Sequence, residues 1–150
     1  MRAKTVKRYW CDFCNKAGLQ AGAMRKHEKH CTMNPGRDCR VCGLMGGSVK
    51  VGAEKMAGLV AILPDATAYL SDDGIYWEGD VDNEHAKLSR AVAEALPKLR
   101  EETDDCPACI MAALRQAKIP VPMVEGFDFK TEMRAILDDY NERQNDDWGY

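Results

Sequence analysis

The seven cysteines of this 150-residue chain fall almost entirely into one spacing, and that spacing constrains the fold more than any hydrophobic pattern does. Cys11-x-x-Cys14, Cys39-x-x-Cys42 and Cys106-x-x-Cys109 form three pairs, and the remaining Cys31 stands four positions after His27. Two thiols separated by two residues turn toward a common point, while a His and a Cys four apart share one face of a helix. With His27 counted, eight metal-ligating side chains divide into two sets of four with no thiol left over. Four-coordinate thiolate and imidazole sets suit zinc, so the spacing predicts two zinc ions. An odd number of cysteines fits a disulfide framework poorly.

The partition that uses every ligand places Cys11, Cys14, His27 and Cys31 in one site and Cys39, Cys42, Cys106 and Cys109 in the other. A competing partition joins Cys11 and Cys14 to Cys39 and Cys42 in a single zinc ribbon, which strands the other four ligands. His30 competes with Cys31 for the fourth position of the first site, although Cys31 has the better spacing from His27. Cys106-Pro107-Ala108-Cys109 at a helix start also has the form of a redox pair, but no thioredoxin-like βαβ pattern surrounds it.

More than the ligands follows a known pattern over residues 9–31. Twelve residues separate Cys14 from His27 and three separate His27 from Cys31. Tyr9 lies two before the first cysteine and Met24 lies three before His27. This segment resembles the Cys2His2 zinc finger, in its variant with a final cysteine. The resemblance implies a ββα unit that zinc holds together, because some thirty residues bury too little apolar surface to fold alone. The family's mid-finger aromatic is missing: Gly18 takes its place, and Leu19 is the nearest apolar substitute.

Apolar periodicity organises the rest. Residues 54–63 read as a short helix ended by Pro64, and 67–70 and 75–77 flank Asp72-Asp73-Gly74 as a hairpin. Leu88, Val92, Ala95, Leu96 and Leu99 recur at helical spacing, with Pro97 expected to kink or end that helix. Pro107 suits a first turn, and Ile110, Leu114 and Ala117 continue one face. Phe129, Met133, Ile136, Leu137 and Tyr140 form a further stripe capped by Asp128. The expected fold is α+β and helix-rich: a ββα-type zinc finger over 1–33, then a compact α/β body over 34–142 closed by the four-cysteine site. Residues 143–150 are expected to form a flexible tail.

Charge is divided as sharply as the ligands. Residues 1–42 hold ten Lys/Arg against three Asp/Glu, and the remainder holds eleven against twenty-one. A basic head on an acidic body points to an anionic partner for the head. Lys4, Lys7, Arg8, Arg25 and Lys29 are candidates for phosphate contact. If the finger docked as the resemblance implies, Gln20, Ala23 and Lys26 would face the major groove of DNA, although Ala23 gives little reach. Contact with DNA or RNA through phosphates is therefore the expected function. The alternative is a protein-binding adaptor or inhibitor that uses the acidic body.

Sites closed by four protein ligands leave no place for a catalytic water, so no enzyme activity is expected. The deaminase order of His-x-Glu before Pro-Cys-x-x-Cys is not met, and the acidic residues 80–84 lack the glycine of an EF-hand loop. No apolar run approaches a membrane span, and the basic start lacks the apolar core of a signal peptide. A cytoplasmic location follows as an expectation, with thiols kept reduced. The layout as a whole resembles small zinc-finger proteins of bacteriophages, which implies the host cytoplasm and a possible host protein partner.

Overall fold

In the computed structural model, residues 1–69 and 84–146 are described. The chain begins with an antiparallel pair, β1 (Tyr9–Trp10) and β2 (Ala17–Gly18), in the register Tyr9 to Gly18 and Trp10 to Ala17. Helix α1 (Ala21–His30) then packs back on the pair, completing the ββα unit. Its small core is Cys11, Met24 and Cys31, flanked by Tyr9, Cys14 and Met33. Leu19 does not replace the missing aromatic: it is 62% exposed. Met24 supplies the bulk instead, with its Cε so close to Gly18 that a Cβ there would meet it at 3.3 Å. A glycine and a long, flexible methionine thus exchange the roles that an aromatic and a leucine would hold.

The regular elements of the body among its described residues are helices, apart from one isolated bridge between Asp38 and Lys50. Its helices are α2 (Arg40–Leu44), α3 (Ala53–Ile62), α4 (Glu84–Thr103), α5 (Pro107–Gln116) and α6 (Phe129–Asp146). Helix α5 is the centre, packed against α3, α4 and α6. Its residues 107–114 are buried except Met111, and Ala108, Ala112 and Ala113 let the neighbours approach closely. Met56 and Leu59 of α3, and Leu88, Val92, Leu96 and Leu99 of α4, close over Ile110 and Leu114. No helix of the described residues is long and apolar enough to cross a membrane.

Three local expectations are revised. Pro97 does not end α4, which continues to Thr103. Losing the N–H and crowding the preceding turn costs about 3 kcal/mol. Each of Leu88, Val92, Leu96 and Leu99 is worth about 1.5–3 kcal/mol when buried, and the last requires the helix beyond the proline. Residues 66–68 form a 3-10 turn rather than the start of a strand, because Asp65 Oδ1 accepts from Thr67 N (3.0 Å) and Oγ1 (2.6 Å). The rest of the expected hairpin lies outside the described residues.

The third revision concerns the end of the chain. Helix α6 begins where Asp128 Oδ1 accepts from Thr131 N at 3.0 Å, as its cap predicts. It then runs through residues 143–146, which the sequence assigned to a tail. Arg143 pairs with Asp139 one turn back and donates to Leu44 O at 2.9 Å. None of its residues is fully buried, so α6 lies on the core as an outer cover. Arg100 of α4 anchors it with two bonds to Glu132, at 3.0 and 2.7 Å.

Candidate metal centres

The first centre is assembled by the hairpin and one helical turn. The turn between β1 and β2 closes with Cys11 N donating to Lys16 O at 2.9 Å, which brings Cys11 and Cys14 to one side. Phe13 N donates to Cys11 Sγ at 3.4 Å, the backbone-to-sulfur bond of a thiolate knuckle. His27 lies in the last turn of α1 and Cys31 caps its end. The four ligand atoms of Cys11, Cys14, His27 and Cys31 all lie within 4.8 Å of one another. Cys14 Sγ and His27 Nε2 are 3.3 Å apart.

His30 is not a ligand. Its Nδ1 donates to Asp38 O at 3.1 Å and its Nε2 accepts from Arg40 Nε at 3.1 Å. Both nitrogens are thereby occupied in joining the finger to the body, and Cys31 holds the fourth position.

The second centre unites Cys39, Cys42, Cys106 and Cys109, again with all sulfurs within 4.8 Å. Cys39 and Cys106 are the residues that precede α2 and α5, so each Cys-x-x-Cys pair wraps the first turn of a helix. The positive ends of two helices thus face four sulfurs that zinc binding would make negative. Cys39 N donates to Val49 O, locking the knuckle against the strand-like segment beyond it. Gly43 permits that approach, since a Cβ there would lie 2.8 Å from Val49 Cγ1.

The geometry fits zinc. A tetrahedron with zinc–sulfur bonds of about 2.3 Å has sulfur–sulfur edges of about 3.8 Å. Cys39 Sγ to Cys106 Sγ is 3.7 Å, and Cys42 Sγ to Cys109 Sγ is 3.5 Å. The two sets do not share ligands, so the zinc-ribbon partition is not the one the fold adopts. Cys106 and Cys109 likewise sit within a four-thiol cluster rather than as an isolated redox pair.

Crowding four sulfurs together pushes the thiols of the second centre in opposite directions. Hydrogen bonds from Cys106 and then Cys109 hold Cys39 and Cys42 well below the usual thiol range. Cys109 is pushed far up by Cys106, Cys39 and Cys42 in turn. For Cys106 the bond with Cys109 acts downward, but Cys39, Cys42 and burial outweigh it and raise the thiol. Zinc binds cysteine as the thiolate, so a dication at the centre of the cluster would displace the protons these thiols carry. In the first centre burial would raise Cys14, yet bonds from Lys16 N, His27, Cys11 and Cys31 together bring it down to about 7. Burial lifts Cys31 to about 11.

Native mass spectrometry of the purified chain should show two zinc ions, with all seven cysteines protected from alkylation. One zinc, with Cys106 and Cys109 readily alkylated, would show that the second set does not hold metal.

The residues expected to contact nucleic acid lie around the first centre. Lys4, Lys7, Arg8, Gln20, Arg25, Lys26 and Lys29 are all exposed. Lys29 Nζ is 3.2 Å from Asp38 Oδ2. Ala23 and Lys26 line a cleft whose opposite wall includes Arg40, Val41 and Ala108, so this face of α1 looks across to the body. Sequence reasoning missed Trp10 and Phe13, which are 59% and 41% exposed on the finger. It also missed Lys16, Arg37 and Arg40 beside the cleft. The available signal was their membership of the same basic stretch. No known protein family, characterised protein or solved structure matches this chain.

Proposed function

We propose that this chain is a non-enzymatic, two-zinc protein that binds single-stranded nucleic acid mainly through phosphate contacts of its N-terminal finger. The carrying observation is the exposure of Lys4, Lys7, Arg8, Arg25, Lys26 and Lys29 together on and beside one metal-held unit. Two exposed aromatics, Trp10 and Phe13, stand among these cations and offer faces on which bases stack. Reading a duplex by Gln20, Ala23 and Lys26 is less well supported. A major groove about 12 Å wide has to receive the helix, and the body faces that side of α1. The two closed four-ligand sets favour a structural over a catalytic role for zinc. The resemblance of its layout to bacteriophage zinc-finger proteins suggests an accessory role in a host cytoplasm as the setting of this reading.

Binding of fluorescent single-stranded DNA, RNA and duplex DNA across a salt series tests the proposal. Affinity should fall with salt, and replacing the six cations with alanine should remove most of it. Each lost contact should flatten the slope of log affinity against log salt by about 0.7 for single strands and about 0.9 for duplex. Unchanged binding by a six-alanine chain that retains both zinc ions would make the finger structural. The acidic body would then be the part that meets a protein partner.

A further inference from the structure

The seam between finger and body holds a cleft of about 410 Å³ whose lining is strongly cationic. Lys16 and Lys26 line it from the finger, Arg37 from the segment that leads into α2, and Arg40 from the first position of α2. No Asp or Glu lines it, and none of the four has a carboxylate partner among the described residues. Arg37 is the decisive residue. It is only 4% exposed, and its Nε has no hydrogen-bond partner. Its two terminal nitrogens reach only carbonyls, Ala108 O and His30 O, each at the long distance of 3.4 Å.

A buried guanidinium without a counter-ion is costly, and the cost falls when an anion accepts its hydrogen bonds. Charge balance with the metal centres does not account for it. His27 of the first centre and Cys39 of the second both border the cleft, and their zinc-bound sets would be singly and doubly negative. Yet none of the four cations hydrogen-bonds a cysteine sulfur, and together they exceed that negative charge. His30 fixes the geometry: its Nε2 holds Arg40 Nε, which leaves the rest of that guanidinium for a ligand.

We propose that this cleft is a binding site for a phosphate group, supplied by a nucleic-acid strand or by a free phosphate or nucleotide. Its volume is that of a small-molecule pocket and admits one nucleotide unit rather than a duplex. The strand source rests on the function proposed above; the site itself does not. A phosphate here would touch both modules and draw them together.

The side-chain Nε–H resonance of Arg37, followed by NMR in the zinc-loaded full chain, provides the test. Inorganic phosphate, adenosine monophosphate and a short oligothymidylate are titrated separately. The Arg37 signal should shift with at least one, and Lys16→Gln with Arg40→Gln should weaken that binding roughly tenfold or more, as loss of two charged contacts implies. Because Arg37→Gln risks the fold, the two exposed positions carry the mutational arm. Shifts with phosphate or the monophosphate but not the oligonucleotide uphold the cleft as a small-anion site and sink the strand reading. Oligonucleotide binding that leaves Arg37 unmoved upholds nucleic-acid contact and overturns the cleft. No shift with any of the three overturns it as well.

Discussion

Cys109→Ser should abolish the cooperative thermal unfolding of the body and leave the chain with one zinc ion. Cys39, Cys106 and Cys109 are not appended to the core but part of it, buried among Met56, Leu99, Ile110 and Leu114. The centre ties α2 to α5 across the 63 residues between Cys42 and Cys106, a loop whose closure is entropically unfavourable without the metal. Structural zinc binding is worth about 10–16 kcal/mol in zinc-finger peptides, as large as the whole stability of an ordinary domain. Serine retains the shape but cannot supply a thiolate, and it buries a hydroxyl beside three sulfurs that have lost their cation. Circular dichroism during heating, with zinc measured on the same sample, reads both consequences. Two retained zinc ions, or a melting temperature within about 4 °C of the parent, would refute the staple. Acidification should act in the same direction, because protons compete with zinc for each sulfur and metal release frees the sites to take them up.

The ligand sets were legible because zinc coordination imposes a spacing that does not depend on the rest of the fold. Cys39-x-x-Cys42 and Cys106-x-x-Cys109 could be paired by elimination although nothing local joins them. The helices were legible where one face is buried, as in Leu88, Val92 and Leu99 of α4. Pro97 was expected to kink α4 or to end it, and the early end does not occur because packing beyond the proline outweighs the local rule. The end of α6 was missed for the same reason: the polar residues after Tyr140 look unsupported until Arg143 reaches Leu44 O across the fold. Arg37 was the least legible. Between Pro35-Gly36 and Cys39 it reads as one more solvated cation, and only the fold brings Ala108, 71 positions away, against it. The seam is built from such long-range pairs, so sequence patterns could not outline its cleft.

Cys14→Ser should melt the finger while the body still unfolds as a unit at a lowered temperature. The mutation removes a ligand from a unit whose core is only Cys11, Met24 and Cys31, too small to persist without metal. The body keeps its own zinc and its packed α3, α4 and α5, so its transition should survive. It should not survive unchanged. Arg115 Nη1 donates to Thr32 Oγ1 at 3.0 Å, and Gln116 Nε2 donates to Thr32 O at 2.8 Å. Asp38 N donates to Lys29 O at 2.8 Å, and Arg37 leans on His30 O. At about 0.5–1.5 kcal/mol per bond, and with the residues after Cys31 partly retained, the expected loss is about 1–3 kcal/mol. Calorimetry of the one-zinc chain, with amide exchange to locate what has melted, separates three results. A lowered but cooperative transition with fast exchange confined to residues 9–31 is the expected one. Loss of every transition would mean that finger and body are a single cooperative unit and that no domain boundary falls near Asn34. An unmoved transition would mean that the seam contacts contribute nothing, and that the two modules are held together only by the chain between them.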